Sequence, residues 1–267
     1  MDRRISALLT ASALALPMPG GSALAQQTPV PQSPPQVPGA VDVARGEDAP
    51  YQLRPFSGNY QVFRGERPLG TATMRLVNTG GNRWRIDLNI VGTQGIAGAA
   101  GVNIQQSTVF DANGNQYRPV SQSTVQRALF STRKTVGTYD WGKSTASWSG
   151  DVKKSRRGRT IALQAGDMSG LLINLAIMRD AKLGASLQYR FVDDSRMRIQ
   201  HYAVAPATEN VKVGEMNYDT FRIDRVQSGE DRTTVWFTPE VPLPVRIHMK
   251  DGDDAALDLM LTQYKGV

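Results

Sequence analysis

From Pro55 to the C terminus the apolar residues return at every second position in run after run, and that period constrains the fold more than any single motif. The clearest run is Arg83 to Val91, where Trp84, Ile86, Leu88 and Ile90 share one face and Arg85, Asp87 and Asn89 share the other. A period of two is the mark of a strand with one buried face. The same alternation returns in Leu187-Tyr189-Phe191, Phe221-Ile223, Val245-Ile247-Met249 and Leu257-Leu259-Leu261. Turn signals separate the runs at Thr79-Gly80-Gly81-Asn82, Asn113-Gly114, Trp141-Gly142-Lys143, Ser228-Gly229 and Asp251-Gly252. The pattern predicts roughly a dozen strands, mostly joined as hairpins. An antiparallel sheet of that size curls or closes.

One segment breaks the period. After Asp167, a predicted N-cap, the run Met168 to Lys182 carries Leu171, Leu172, Ile173, Leu175, Ala176, Ile177 and Met178, with Asn174 the polar residue in its middle. A helix that is apolar all round is a buried one. The expected fold is therefore mainly β: a large, strongly curved antiparallel sheet, open barrel or spiral-like, wrapped around one buried apolar α-helix. The space between helix and sheet is the candidate site for an apolar ligand, and Trp84, Met168, Leu172 and Ile177 either complete a solid core there or line a cavity. Gly95-Ile96-Ala97-Gly98-Ala99-Ala100-Gly101 reads as a closely packed turn or short helix; it lacks the dinucleotide spacing and its βαβ setting.

The N-terminal residues read as an export signal. Arg3 and Arg4 form a basic start, Ile5 to Met18 an apolar stretch, and Ala23-Leu24-Ala25 a cleavage site with small residues at its first and third places. The apolar stretch is 14 residues long and is broken by Pro17, whereas a membrane span needs about 20. Residues 26–50 hold six prolines and no aromatic residue, the composition of an extended linker that buries too little to order itself. A single β-rich domain is expected over 51–267. The chain has no cysteine, which excludes a lipoprotein acyl anchor, a disulfide framework and a thiol nucleophile together. With 40% apolar and 21% charged residues the chain can bury a core, so disorder over its whole length is excluded as well.

Three groups of residues carry a resemblance. They are Leu69-Gly70-Thr71-Ala72 in an early strand, Asp167-Met168-Ser169-Gly170-Leu171 continuing to Met178-Arg179, and Val235-Trp236-Phe237 followed by Leu243-Pro244-Val245-Arg246-Ile247. In this order, over about Tyr51 to Tyr264, the chain resembles a family of exported bacterial proteins known as domain of unknown function 3108. The resemblance implies a β-rich envelope protein and implies no activity.

Residue chemistry points the same way. His201 and His248 stand apart in strand-like runs, without the three or four preorganised ligands that zinc takes. Asp111-Ala112-Asn113-Gly114-Asn115 has Gln116 and Gln122 where a calcium loop carries Gly and Glu, and Asp251-Gly252-Asp253-Asp254 reads as a solvated turn. Gly166-Asp167-Met168-Ser169-Gly170 lacks the spacing of a nucleophile elbow. The tight carboxylate pair Asp193-Asp194 reads as a strand end. No catalytic residue, metal site or cofactor is expected, and the chain reads as a non-enzyme.

The sharpest local feature is Lys153-Lys154-Ser155-Arg156-Arg157-Gly158-Arg159, five cations in seven residues within a chain of net charge +7. Lys153, Lys154, Arg156, Arg157 and Arg159 suit phosphate oxygens. Export removes nucleic acid as a partner and leaves anionic lipid head groups or lipopolysaccharide phosphates. The sequence thus predicts a periplasmic cell-envelope protein that binds a lipid-like or other apolar ligand or assists envelope assembly. The alternative is a structural module that holds an envelope protein through its sheet edge or its basic loop.

Small residues at Ala23 and Ala25 place the mature start at Gln26. N-terminal sequencing of periplasmic material should return Gln26; an intact Met1 would remove both the signal and the compartment.

Overall fold

A computed structural model describes residues 52–99, 101–227, 231–250 and 256–266. The expected signal (1–25), the linker (26–50), Tyr51 and the turns at Ser228-Gly229 and Asp251–Asp254 lie outside the described residues. The described residues form fifteen strands and two α-helices. The first eight strands are β1 (Phe56–Arg64), β2 (Arg67–Gly80), β3 (Arg83–Gly92), β4 (Asn103–Asn113), β5 (Gln116–Ala128), β6 (Ser131–Asp140), β7 (Thr145–Gly150) and β8 (Thr160–Ala162). Helix α1 (Gly95–Ala99) joins β3 to β4, and helix α2 (Leu172–Asp180) follows β8. The remaining strands are β9 (Ser186–Asp193), β10 (Arg196–Val204), β11 (Glu209–Val213), β12 (Met216–Val226), β13 (Arg232–Phe237), β14 (Pro244–Lys250) and β15 (Leu257–Gly266).

All belong to one antiparallel sheet in the order β8-β7-β6-β5-β4-β3-β2-β1-β15-β14-β13-β12-β10-β9, with β11 beside β12. The first and last strands therefore meet in the middle of the order, and Phe56 pairs with Gly266. Strand directions alternate, so the β1–β2, β3–β4, β5–β6, β7–β8 and β9–β10 connections share one rim, here called upper. The β2–β3, β4–β5 and β6–β7 turns share the lower rim. The result is mainly β, a nearly closed, barrel-like sheet around α2, as the alternation predicts.

The edges of the sheet, β8 and β9, are joined through a strap. Residues 163–170 climb from the lower rim beside β9, and Met168 pairs with it in parallel: its amide donates to the Arg190 carbonyl and its carbonyl accepts from Val192, both at 2.8 Å. Arg190 Nε reaches the buried Asp167 carboxylate at 2.6 Å, and its Nη2 donates to the Ala162 carbonyl of β8 at 2.6 Å. One guanidinium thus ties both edges of the sheet to the strap.

The helix is shorter than its apolar run. It begins at Leu172 instead of Met168 and ends at Asp180 instead of Lys182. Asp167 is not its N-cap; that carboxylate accepts the Gln164 amide at 2.9 Å and holds Arg190. Two constraints delay the start. The Met168 backbone is committed to β9, and Gly170 turns the chain at φ +48°, where a Cβ would stand 2.5 Å from Thr108 Oγ1. From that turn α2 descends through the interior, and Arg179 bonds the Asn115 carbonyl in the lower β4–β5 turn.

The inward faces match the alternation: Ile86 and Leu88 on β3, Ile247 on β14 and Leu259 on β15 are all buried against the helix core. Leu172, Leu175, Ala176 and Ile177 are each at most 1% exposed. A second, smaller core of Tyr139, Ala146, Trp148, Val152, Leu163 and Val192 lies under the strap. Helix α1 packs closely on β3 as expected, since a Cβ on Gly92 would stand 2.8 Å from the Ala97 carbonyl oxygen.

Leu175 is fully buried, so Leu175→Ala should lose about 2–5 kcal/mol in denaturant unfolding. Leu175→Asp should abolish the cooperative transition, because an unpaired buried carboxylate costs several kcal/mol against a net stability of about 5–15. An aspartate variant that melts like the parent would place α2 on the surface.

Candidate functional site

Of the four residues expected around an apolar ligand, Leu172 and Ile177 lie on the helix, Met168 on the strap and Trp84 on β3. Met168, Leu172 and Ile177 sit in the main core at 4% exposure or less, and the half-buried Trp84 packs against it. Met168 is on the strap, not the helix. A cavity of about 10 Å³ lies above the helix start, lined by Gln106, Thr108, Gln122, Thr124, Gly170 and Asp193 among others. That is room for one water and far too little for an acyl chain.

Beside the helix start, on β4–β5 and β9–β10, the interior carries a polar patch. The register places Gln106 opposite Thr124 and Thr108 opposite Gln122 on β4 and β5. At the other side it places Asp193 opposite Arg196 and Phe191 opposite Arg198 on β9 and β10. A hydrogen-bonded network crosses this space. Gln122 Nε2 donates to Asp193, and Gln122 Oε1 accepts from Ser169. The Tyr139 hydroxyl meets Ser169 and lies 2.9 Å from the Val192 carbonyl. The Thr108 hydroxyl accepts the Leu171 amide at 3.2 Å, at the Gly170 turn. Ser169, expected at the helix start, is a buried member of this network instead.

Burial sets the electrostatics. It pushes the Asp193 carboxyl above the ordinary range, with the Gln122 hydrogen bond and the Arg198 charge offsetting part of the rise. It pushes the Tyr139 hydroxyl well up too. Arg198 is pushed down to about 10, first by burial and then by the like charge of Arg196. Its guanidinium lies over the Phe191 ring at 5.8 Å, and its three nitrogens have no hydrogen-bond partner; neither do Ser195 Oγ and Gln227 Nε2. These groups can all donate, so the upper interior has donors to offer an anionic or carbonyl oxygen. Ser169 has Tyr139 and Gln122 beside it and no imidazole to activate it.

The basic run forms the upper β7–β8 loop, with a 3₁₀ turn at Lys154–Arg156. Arg156 is a structural strut: its largely buried side chain pairs with Asp194 in the β9–β10 turn across the seam. Arg157 Nε donates to the Val152 carbonyl at 3.3 Å, and Lys153, Lys154, Arg157 and Arg159 are exposed. Three exposed cations that sequence reasoning missed join them from the β5–β6 hairpin, Arg127, Arg133 and Lys134. Thr135 pairs with Gly150, and the Lys134 amide donates to Asp151 at 2.8 Å, so the hairpin stands beside the start of the loop.

Among the described residues no group of three or more His, Asp or Glu gathers to hold a metal. His248 does have a carboxylate that its sequence neighbours do not reveal: Asp258 lies 3.0 Å from Nδ1 across β14–β15 and also binds Arg246 at 2.9 Å. Arg246 stacks over Trp236 at 5.0 Å, extending this ladder along the outer face.

The sequence matches the family described as protein of unknown function (DUF3108) over residues 59–262. No curated protein matches it. Among solved structures it is similar to the β-barrel-like protein of domain of unknown function DUF1849 from Brucella abortus. The TM-score is 0.50 at 10% identity, covering 81% of this chain and 99% of that one. At this identity the likeness is one of fold.

The raised Asp193 value has a direction in pH. The folded state disfavours the charged form, so the contribution of Asp193 to stability is full below the ordinary carboxylate value of about 3.9 and declines as pH rises through its folded value. Asp193→Asn removes that decline. Its melting temperature minus that of the parent should therefore increase upward from about pH 4 and then level off; a difference that does not vary with pH would show that Asp193 is not desolvated.

Proposed function

We propose a role in binding for this chain, which belongs to the DUF3108 family of proteins of unknown function: it is a non-enzymatic, exported protein of the bacterial cell envelope that docks its upper rim on an anionic, phosphate-bearing surface. The observation that carries the reading is the convergence of Lys153, Lys154, Arg157 and Arg159 with Arg127, Arg133 and Lys134 at adjoining upper-rim connections. Asp151 is the acid set among them, and it is occupied by the Lys134 amide. Seven exposed cations from two neighbouring hairpins form a surface for lipid or lipopolysaccharide phosphates. The partnerless donors of Arg198, Ser195 and Gln227, at the same end, suit the same chemistry.

The Arg3-Arg4 start, the apolar stretch Ile5 to Met18 and the Ala23-Leu24-Ala25 pattern support the periplasmic location. The burial of Met168, Leu172 and Ile177 in the main core supports the outer surface over an interior apolar ligand. Docking through a sheet edge has less to offer: β8 is three residues long and β9 is already paired with Met168.

The mature protein should pellet with vesicles of phosphatidylcholine and phosphatidylglycerol at low salt and not with phosphatidylcholine alone. Molar salt, where the screening length is about 3 Å, should release it. Replacing Lys153, Lys154, Arg157 and Arg159 by Ser while keeping the strut Arg156 should leave the melting temperature unchanged. At about 1 kcal/mol per charge, binding should weaken by roughly two to three orders of magnitude. Unchanged pelleting of this variant would remove the loop from the function.

A further inference from the structure

The β5–β6 hairpin turns through two residues, Leu129 and Phe130, between the paired Ala128 and Ser131. Leu129 is 56% exposed and Phe130 101% exposed, the latter as open to water as a side chain in an extended chain. Leu129 also has φ +38°, a conformation for which the first place of a two-residue turn ordinarily takes glycine. A leucine here strains the backbone and finds little packing in return, and the phenylalanine beside it gains nothing from the fold. Folding therefore does not explain the pair.

The setting does. On β6, residues 131–134 run on past the Thr135–Gly150 pair where β7 stops, so the tip projects about 13 Å beyond the end of β7 at 3.3 Å per residue. Arg127, Arg133 and Lys134 ring its base on the two strands, and the basic loop begins alongside. An apolar point set within a collar of cations matches the layering of an anionic bilayer, with phosphates outside and hydrocarbon beneath. A protein groove would call for a broader apolar face than these two side chains supply.

We propose that Leu129 and Phe130 form a membrane-inserting finger that enters the acyl layer of an anionic bilayer while the surrounding cations hold the head groups. This rests on the surface-docking reading and adds to it the lipid bilayer as partner and the site of entry. The finger turns a salt-sensitive contact into one that also depends on the hydrophobic effect.

The cysteine-free chain allows a clean test. Phe130→Cys and, at the lower rim, Asn115→Cys are each labelled with the environment-sensitive fluorophore NBD in the mature protein, then titrated with the phosphatidylcholine and phosphatidylglycerol vesicles. The label at 130 should brighten several-fold and shift to the blue, and the label at 115 should not. In the unlabelled protein, the double variant Leu129→Ser, Phe130→Ser should bind at least about a hundredfold more weakly, since the transfer of two apolar side chains is lost, and its melting temperature should not fall. Pelleting with a label at 130 that stays in water would overturn the finger and leave surface docking intact. Loss of pelleting in every variant at low salt would overturn both. Brightening that follows protein concentration without vesicles would assign the tip to a second copy of the chain and overturn the bilayer.

Discussion

The architecture depends on how two sheet edges that do not pair with each other are brought together. An open edge is a row of unmet hydrogen bonds and a template for aggregation. Here β8 stops after three residues and β9 is met by a different partner, the strap that carries Asp167 and Met168. The Arg190 guanidinium spans the seam, with the buried Asp167 carboxylate on one side and the Ala162 carbonyl on the other. A little higher, Arg156 and Asp194 repeat the arrangement between the basic loop and the β9–β10 turn. With two cationic struts in place, the strap is held where Gly170 can turn it inward as a helix.

The helix then divides the interior. Nine residues of α2 reach about 14 Å at 1.5 Å per residue, whereas strands as long as the 14 residues of β2 run to roughly 46 Å. A plug that short fills part of the height. Most of the inward residues around it are Leu, Ile, Phe and Val; beside and above its start, on β4–β5 and β9–β10, Gln, Thr, Asp and Arg share the interior with Ile90 and Ile104. This polar patch lies toward the same end of the sheet as the exposed cations.

Much of this was legible in the sequence, because strand alternation is local. Trp84, Ile86, Leu88 and Ile90 state their face without any knowledge of their partners, and the all-apolar run after Asp167 states that it is enclosed. The length of the helix was not legible, since its start is set by Met168 pairing with β9 some twenty residues later in the chain. The polar network was hidden for the same reason: Gln122, Tyr139, Ser169 and Asp193 come from four separate segments. Arg156 reads as one of five equal charges until register puts Asp194 beside it. Leu129-Phe130 carries neither glycine nor asparagine, so by composition it continues a strand instead of turning one.

The meeting of β1 with β15 also dictates an order of events. The strands on either side of this junction, β1 to β8 and β14 to β9, can each zip up from neighbouring hairpins, with short loops to close. They become one sheet only when β15, Leu257–Gly266, slots between β1 and β14. That step joins Phe56 to Gly266 across nearly the whole described chain, the kind of distant contact that slows folding. A chain synthesised from its N terminus thus carries two half-sheets with open edges until β15 emerges, and losing that one strand would separate the halves.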